Sequence, residues 1–237
     1  MFSNIKYGWA DFDFKGFKGV CSYIQNPVKD ICQALIDTFK DDSKEIVIEM
    51  DEEGTEWFLK ITSKDIYIYR EENSQEIKTS REDFIKEFIN DVYRDIKLWS
   101  KWTPGSDPKS VYTDIESMLY EVVFPELIYK CQTEFKNWKA IQLEKLKGEE
   151  IFKCAYQLTY KEELLTILET SNFDLSTYIW LFNIDYPLDY LYIVWLHCDA
   201  SVTDILVNMI LEEEKRFGEV YDKPKELKQL TRPPQSW

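Results

Sequence analysis

The chain has 237 residues, a formal net charge of −15, 44% hydrophobic and 16% aromatic residues, and only seven glycines and eight prolines. That composition supports a chain folded over most of its length, long enough for one large or two modest cores, and argues against disorder. The negative charge opposes direct binding to nucleic acid or to an anionic membrane surface, and favours a basic protein as partner.

Residues 4 to 24 alternate polar and apolar side chains around "KGFKG", with Ile5, Tyr7 and Trp9 leading in and Val20, Cys21 and Tyr23 leading out, which predicts an antiparallel hairpin. Asn26 caps and Pro27 opens a helix whose apolar positions are Val28, Ile31, Cys32, Leu35, Ile36 and Phe39. The runs "EIVIEM", "EWFLKI" and "IYIYR", parted by "DEEGT" and "TSKD", predict an antiparallel meander. Ser80 and Asp83 then open a second helix, along which Phe84, Ile85, Phe88, Ile89, Val92, Ile96 and Trp99 share one stripe.

The stretch "TPGSDP" is the strongest linker signal, so the expected organisation is an antiparallel α+β domain over 1–102, a linker at 103–109, a helical domain over 110–220 and a flexible tail over 221–237. Beyond the linker apolar residues recur at spacings of three and four, and Thr159 with Glu162, Asp174, Asp185 before Pro187, and Ser201 with Asp204 are the expected caps. These caps divide residues 150 to 216 into four or five short helices. The predicted fold class is α+β, a sheet with two helices followed by an all-helical part.

Three segments, "LYEVVFPELIYKCQTEFKNW", "EEIFKCAYQLTYKEELLTILE" and "YPLDYLYIVWLHCDASVTDILVNMI", resemble a helical family of bacterial mobile elements, sometimes found beside antirestriction proteins. The resemblance spans roughly residues 118 to 213, and "LSTYIWLF" stands where that family is alanine-rich. The first hundred residues are similar, through "GWADFDF", "CSYIQNPVKDICQALI", "FIKEF" and "DVYRDI", to immunity-type proteins encoded near toxins. Both resemblances imply a setting of genetic conflict. Neither carries a catalytic residue.

The one histidine, His197, is followed by Cys198 and Asp199. Adjacent helical side chains diverge by about 100°, so His197 cannot readily activate Cys198, and His197 is expected to pack or to end a helix. Five cysteines without a CxxC pair, and a single histidine, offer no zinc-ligand spacing and fit free thiols in a reducing cytoplasm. Asp11 with Asp13 shares a strand face, and Asp51, Glu52 and Glu53 occupy a turn; both groups are expected to be solvated charges that guard strand edges. No P-loop, dinucleotide fingerprint or GxSxG elbow occurs, there is no signal-peptide pattern, and no cofactor or metal is expected.

From Glu162 to Glu214 eleven acidic residues occur without a lysine or arginine, among Phe173, Tyr178, Trp180, Phe182, Tyr186, Tyr190, Tyr192 and Trp195. Carboxylates steer a basic protein and receive its arginines, and aromatic anchors supply desolvated contact. The expected partner-binding residues are Asp174, Tyr178, Trp180, Asp185, Tyr186, Asp189, Tyr190, Asp199 and Asp204. The competing expectation is a solvated acidic face over an aromatic core. The expected function is a non-catalytic inhibitor of a basic protein, of the immunity type against a toxin or nuclease. The alternative is a phage or mobile-element anti-defence inhibitor of a host nuclease, of the anti-CRISPR or antirestriction type, with nucleic-acid mimicry as one route.

Overall fold

A computed structural model of the chain describes residues 1–71, 75–145 and 150–196. The chain divides into two compact units, Met1–Val123 and Phe124–Trp237. The fold is α+β with a helical C-terminal region.

The first unit opens with strands β1 (Phe2–Lys6), β2 (Trp9–Phe14) and β3 (Phe17–Cys21), a three-stranded antiparallel sheet rather than the single expected hairpin. Both connections are two-residue turns: Tyr7 and Gly8, then Lys15 and Gly16, all at positive φ. That backbone matches strand twist, which is why glycine stands second in each pair. The buried set on β2 is Ala10, Phe12 and Phe14, while Tyr7 and Trp9 face solvent. The alternation anticipated from Ile5, Tyr7 and Trp9 is therefore out of phase, because the turn at Tyr7 restarts the period of two.

Helix α1 (Pro27–Lys40) begins as its residues require, with the Asn26 side chain accepting from the Lys29 N–H at 3.1 Å and proline at the first helical position. Its expected stripe is buried from Val28 to Ile36; Phe39 stays 37% exposed near the helix end.

A second antiparallel sheet follows, formed by β4 (Ile46–Asp51), β5 (Glu56–Ile61), β6 (Asp65–Arg70) and β7 (Gln75–Ser80) in that order. Strand β7 has no counterpart in the expected meander, because "QEIKTS" is mostly polar and only Thr79 in it is fully buried. It is an edge strand whose backbone pairing with β6 outweighs its weak pattern. Helix α2 (Arg81–Arg94) starts where Ser80 accepts from the Asp83 N–H at 3.1 Å, and the short α3 (Ile96–Trp99) continues its buried stripe.

The core of this unit is aromatic. Trp57 of β5 stacks on Phe12 of β2 at 4.5 Å and tilts against Phe17 of β3 at 5.6 Å, so the two sheets meet through their rings. Its Nε1 donates to the Val20 carbonyl at 2.9 Å. Glu52 lies between the sheets as well, accepting from the Val20 N–H at 2.6 Å and from both Arg70 amino groups at 2.6 and 2.8 Å. Burial pushes the Glu52 carboxyl up, but the bonds from Arg70, Val20 and Thr55 outweigh it and leave the group below its ordinary value. Glu52 is thus a structural bridge and not one of three solvated turn acids. Buried Arg81 plays a similar part, donating to the Leu35 carbonyl at 2.6 Å, Thr38 Oγ1 at 2.8 Å and the Thr62 carbonyl at 3.0 Å.

The turn at 103–107, where a linker was expected, leads into α4 (Pro108–Lys145), a 38-residue helix with Pro125 inside it. Ile115, Leu119, Val122 and Val123 on its first part are buried, and they belong to the first unit. The boundary between units falls at Phe124, next to the proline that removes one helical N–H.

The second unit contains the remainder of α4, then α5 (Glu150–Thr170), α6 (Leu175–Asn183) and α7 (Pro187–Leu196). Thr159 does not cap a helix. It lies within the 21-residue α5 and donates to the Ala155 carbonyl at 3.1 Å. The expected cap at Ser201 and Asp204, and the tail, lie outside the described residues.

Candidate partner-binding surface

Helices α6 and α7 and the residues flanking α6 supply seven of the nine expected contact residues, and their burial sorts them. Asp174 is the exposed residue before α6, without a side-chain capping bond. Tyr178 is fully buried: its hydroxyl donates to the Ser171 carbonyl at 2.8 Å and accepts from the Phe173 N–H at 3.2 Å, and its ring meets Phe124 edge-on at 5.2 Å. Trp180 is 2% exposed, with the half-buried Tyr190 edge-on at 6.1 Å. Tyr178 and Trp180 are therefore corrected from surface anchors to core. The reason is the composition of α6: "LSTYIWLFN" is apolar all round, and such a helix is enclosed on every side.

Asp185 and Tyr186 form the exposed α6–α7 turn, Tyr186 being 52% exposed. Asp189, at the first turn of α7, is not a free surface charge, because Lys161 Nζ of α5 pairs with its Oδ1. Asp199 and Asp204 lie outside the described residues, as do His197 and Cys198. The structure thus leaves Asp174, Asp185 and Tyr186 exposed and Tyr190 half-buried. Glu162 and Glu163 are exposed on α5, beside a shallow depression of about 400 Å³ that they line with Thr159, Thr166 and Ile167.

Beneath this surface is a polar cluster that the sequence reading did not single out. Glu134 of α4 accepts the Leu188 and Asp189 N–H groups at 3.1 and 2.7 Å, capping α7 with a side chain from another helix. Lys161 is wholly buried, paired with Asp189 and set 4.9 Å above the Trp138 ring. Burial pushes the Glu134 carboxyl up to about 7, against the α7 N–H group and the charges of Lys161 and Lys130. Burial pulls the Lys161 amine down to about 8, against the attraction of Glu134. The signal in the chain was Lys161 itself, which shares one helical stripe with Leu164 and Leu168.

In the first unit Asp11 and Asp13 are exposed on one face of β2, as expected, and line a cleft of about 480 Å³ with Lys18, Glu52 and Arg70. Among the described residues no three His, Cys, Asp or Glu side chains are grouped to hold a metal, and Cys21, Cys32, Cys131 and Cys154 are free thiols. Burial raises the thiols of Cys21, Cys32 and Cys131 far above their ordinary value, so these three are held as neutral packing groups. Among the described residues no helix is long and apolar enough to cross a membrane. No family model, curated protein or solved structure matches the chain.

Proposed function

We propose that this is a non-catalytic acidic protein of the cytoplasm that binds and inhibits a basic protein, as an immunity-type protein neutralises a toxin or nuclease. The observation that carries the reading is the absence of any lysine or arginine from Glu162 to Glu214, on a chain of net charge −15. Within that stretch Asp174, Asp185 and Tyr186 face solvent at the two ends of α6, acidic and aromatic groups of the kind that receive arginine-rich surfaces. The resemblance of the helical segments to a mobile-element family, and of the first hundred residues to immunity-type proteins, supports the same setting.

The test is affinity capture with the full chain, identification of the captured protein, and assay of that protein's activity with and without this chain. A basic partner whose activity is lost on binding is the expected result. An acidic partner, or one whose activity is unchanged, overturns the reading. With the partner purified, lysine substitutions at Asp174 and Asp185 are expected to slow association about tenfold or more at low salt, and the same change at Asp42 and Glu87, exposed in the first unit, to matter far less. Asp189 is unsuitable for charge reversal, since its loss strands the buried Lys161.

A further inference from the structure

The outer face of the four-stranded sheet is ordered by charge. Strand register sets Val47, Lys60, Tyr67 and Lys78 in one row across β4 to β7, and Glu49, Phe58, Tyr69 and Glu76 in the next. The opposite faces of these strands carry Met50, Trp57, Leu59, Ile61, Ile66 and Ile68, all buried, whereas Phe58, Tyr67 and Tyr69 are half-exposed. The lysine row is already neutralised: Lys60 pairs with Glu45 at 2.6 Å, Lys78 with Asp65 at 2.9 Å, and both amines lie over the Tyr67 ring.

The second row differs. Phe58 and Tyr69 lie stacked with centroids 5.2 Å apart and planes within 21°, an aromatic platform in which each ring covers one face of the other. Glu49 and Glu76 flank the platform in register, and Glu56 opposes Asp51 one step along. Glu49 and Glu56 approach closely enough to share a hydrogen bond, and Glu71 and Asp51 add to the repulsion, so the Glu56 carboxyl rises above its ordinary value although it is fully exposed. Like charges crowded at a solvated surface are relieved by a cation, and the platform restricts which cation. An ammonium meets a ring only as a point charge, whereas a planar guanidinium also stacks on it and offers a fork of donors to neighbouring carboxylates.

We propose that the outer face of the second sheet, at Phe58, Tyr69, Glu49, Glu56 and Glu76, is a docking surface for an arginine-bearing basic segment of a protein partner. An arginine side chain lies on the Phe58–Tyr69 stack and its guanidinium meets the carboxylates of Glu49 and Glu56. This surface shares no residue with the group Asp174, Asp185 and Tyr186, and needs no inhibitory activity, so either assignment can fail alone.

Fluorescence anisotropy of labelled hexa-arginine and hexa-lysine peptides, titrated with the full chain at about 0.15 M salt, tests it. Hexa-arginine is expected to bind about tenfold tighter than hexa-lysine. The double substitution Glu49→Gln with Glu56→Gln is expected to weaken hexa-arginine about tenfold, and Asp42→Asn with Glu87→Gln, which removes the same charge, by less than about twofold. Phe58→Leu, which keeps apolar bulk without a π face, is expected to erase much of the preference for arginine while sparing hexa-lysine. Equal losses from the two charge pairs would reduce the effect to net charge and overturn the assignment. Equal affinity for the two peptides would do the same, as would an oligothymidylate probe competing for the platform. The two glutamates are exposed, so their substitution tests the surface even if Phe58→Leu fails to fold.

Discussion

Gly19 is held by packing and not by an unusual backbone angle. A methyl group there would lie 2.7 Å from Trp57 Nε1 and 2.9 Å from its Cε2, and Trp57 cannot yield because it is stacked on Phe12 and bonded to Val20. Gly19→Ala is expected to cost about 1–3 kcal/mol, the usual range for overpacking a core, measured by urea unfolding. An unchanged midpoint would show that the ring has room to move. At Glu134 the expected effect is one of pH. A carboxyl whose folded-state pKa is raised to about 7 favours the fold most when protonated, so its contribution is complete below the ordinary carboxyl pKa and is lost as pH rises through about 7. Stability should therefore fall between about pH 5 and 7, by on the order of 2 kcal/mol, and Glu134→Gln should flatten that slope. A slope unchanged in the variant would assign the pH dependence to other carboxylates.

At the scale of elements, α4 is the segment to probe, since it contributes to both compact units. The exposed turn at 103–107 is the expected site of early proteolysis, with Lys101 and Lys109 available to trypsin on either side. A nick there should not part the fragments, because Ile115, Leu119, Val122 and Val123 follow the cut yet are buried residues of the first unit. Nicked protein is expected to elute as one species by size-exclusion chromatography under native conditions and as two in denaturant. Separation under native conditions would mean that this part of α4 does not hold the first unit's core together.

For the whole molecule the governing quantity is charge. Forty-four acidic groups against 29 basic ones give self-repulsion that compacting the chain increases, and salt screens it over about 8–10 Å at physiological ionic strength. Thermal stability should rise as sodium chloride is added from about 10 to 150 mM, while association with a basic partner slows over the same range. A melting temperature that falls with salt would show that ion pairs such as Arg70–Glu52 and Lys161–Asp189 outweigh the repulsion.

Local chemistry determined what local chemistry can: the caps Asn26 and Ser80, the buried stripes of α1 and α2, and the three strands with strong alternation follow from residues a few positions apart. The α+β class with a helical C-terminal region was legible for the same reason. Strand β7 was not, because an edge strand draws on its neighbour's backbone and needs no apolar pattern of its own. In the candidate surface the sequence determined the one-signed charge, but only tertiary structure decided which groups of that stretch reach solvent. Tyr178 and Trp180 went to the core, Asp189 went to Lys161, and Asp185 with Tyr186 remained outside. Glu134 was not legible, and Lys161 showed only as a lysine on the Leu164–Leu168 stripe, for the complementary reason: a charge is stabilised inside a protein by partners far along the chain, here 54 and 28 residues away.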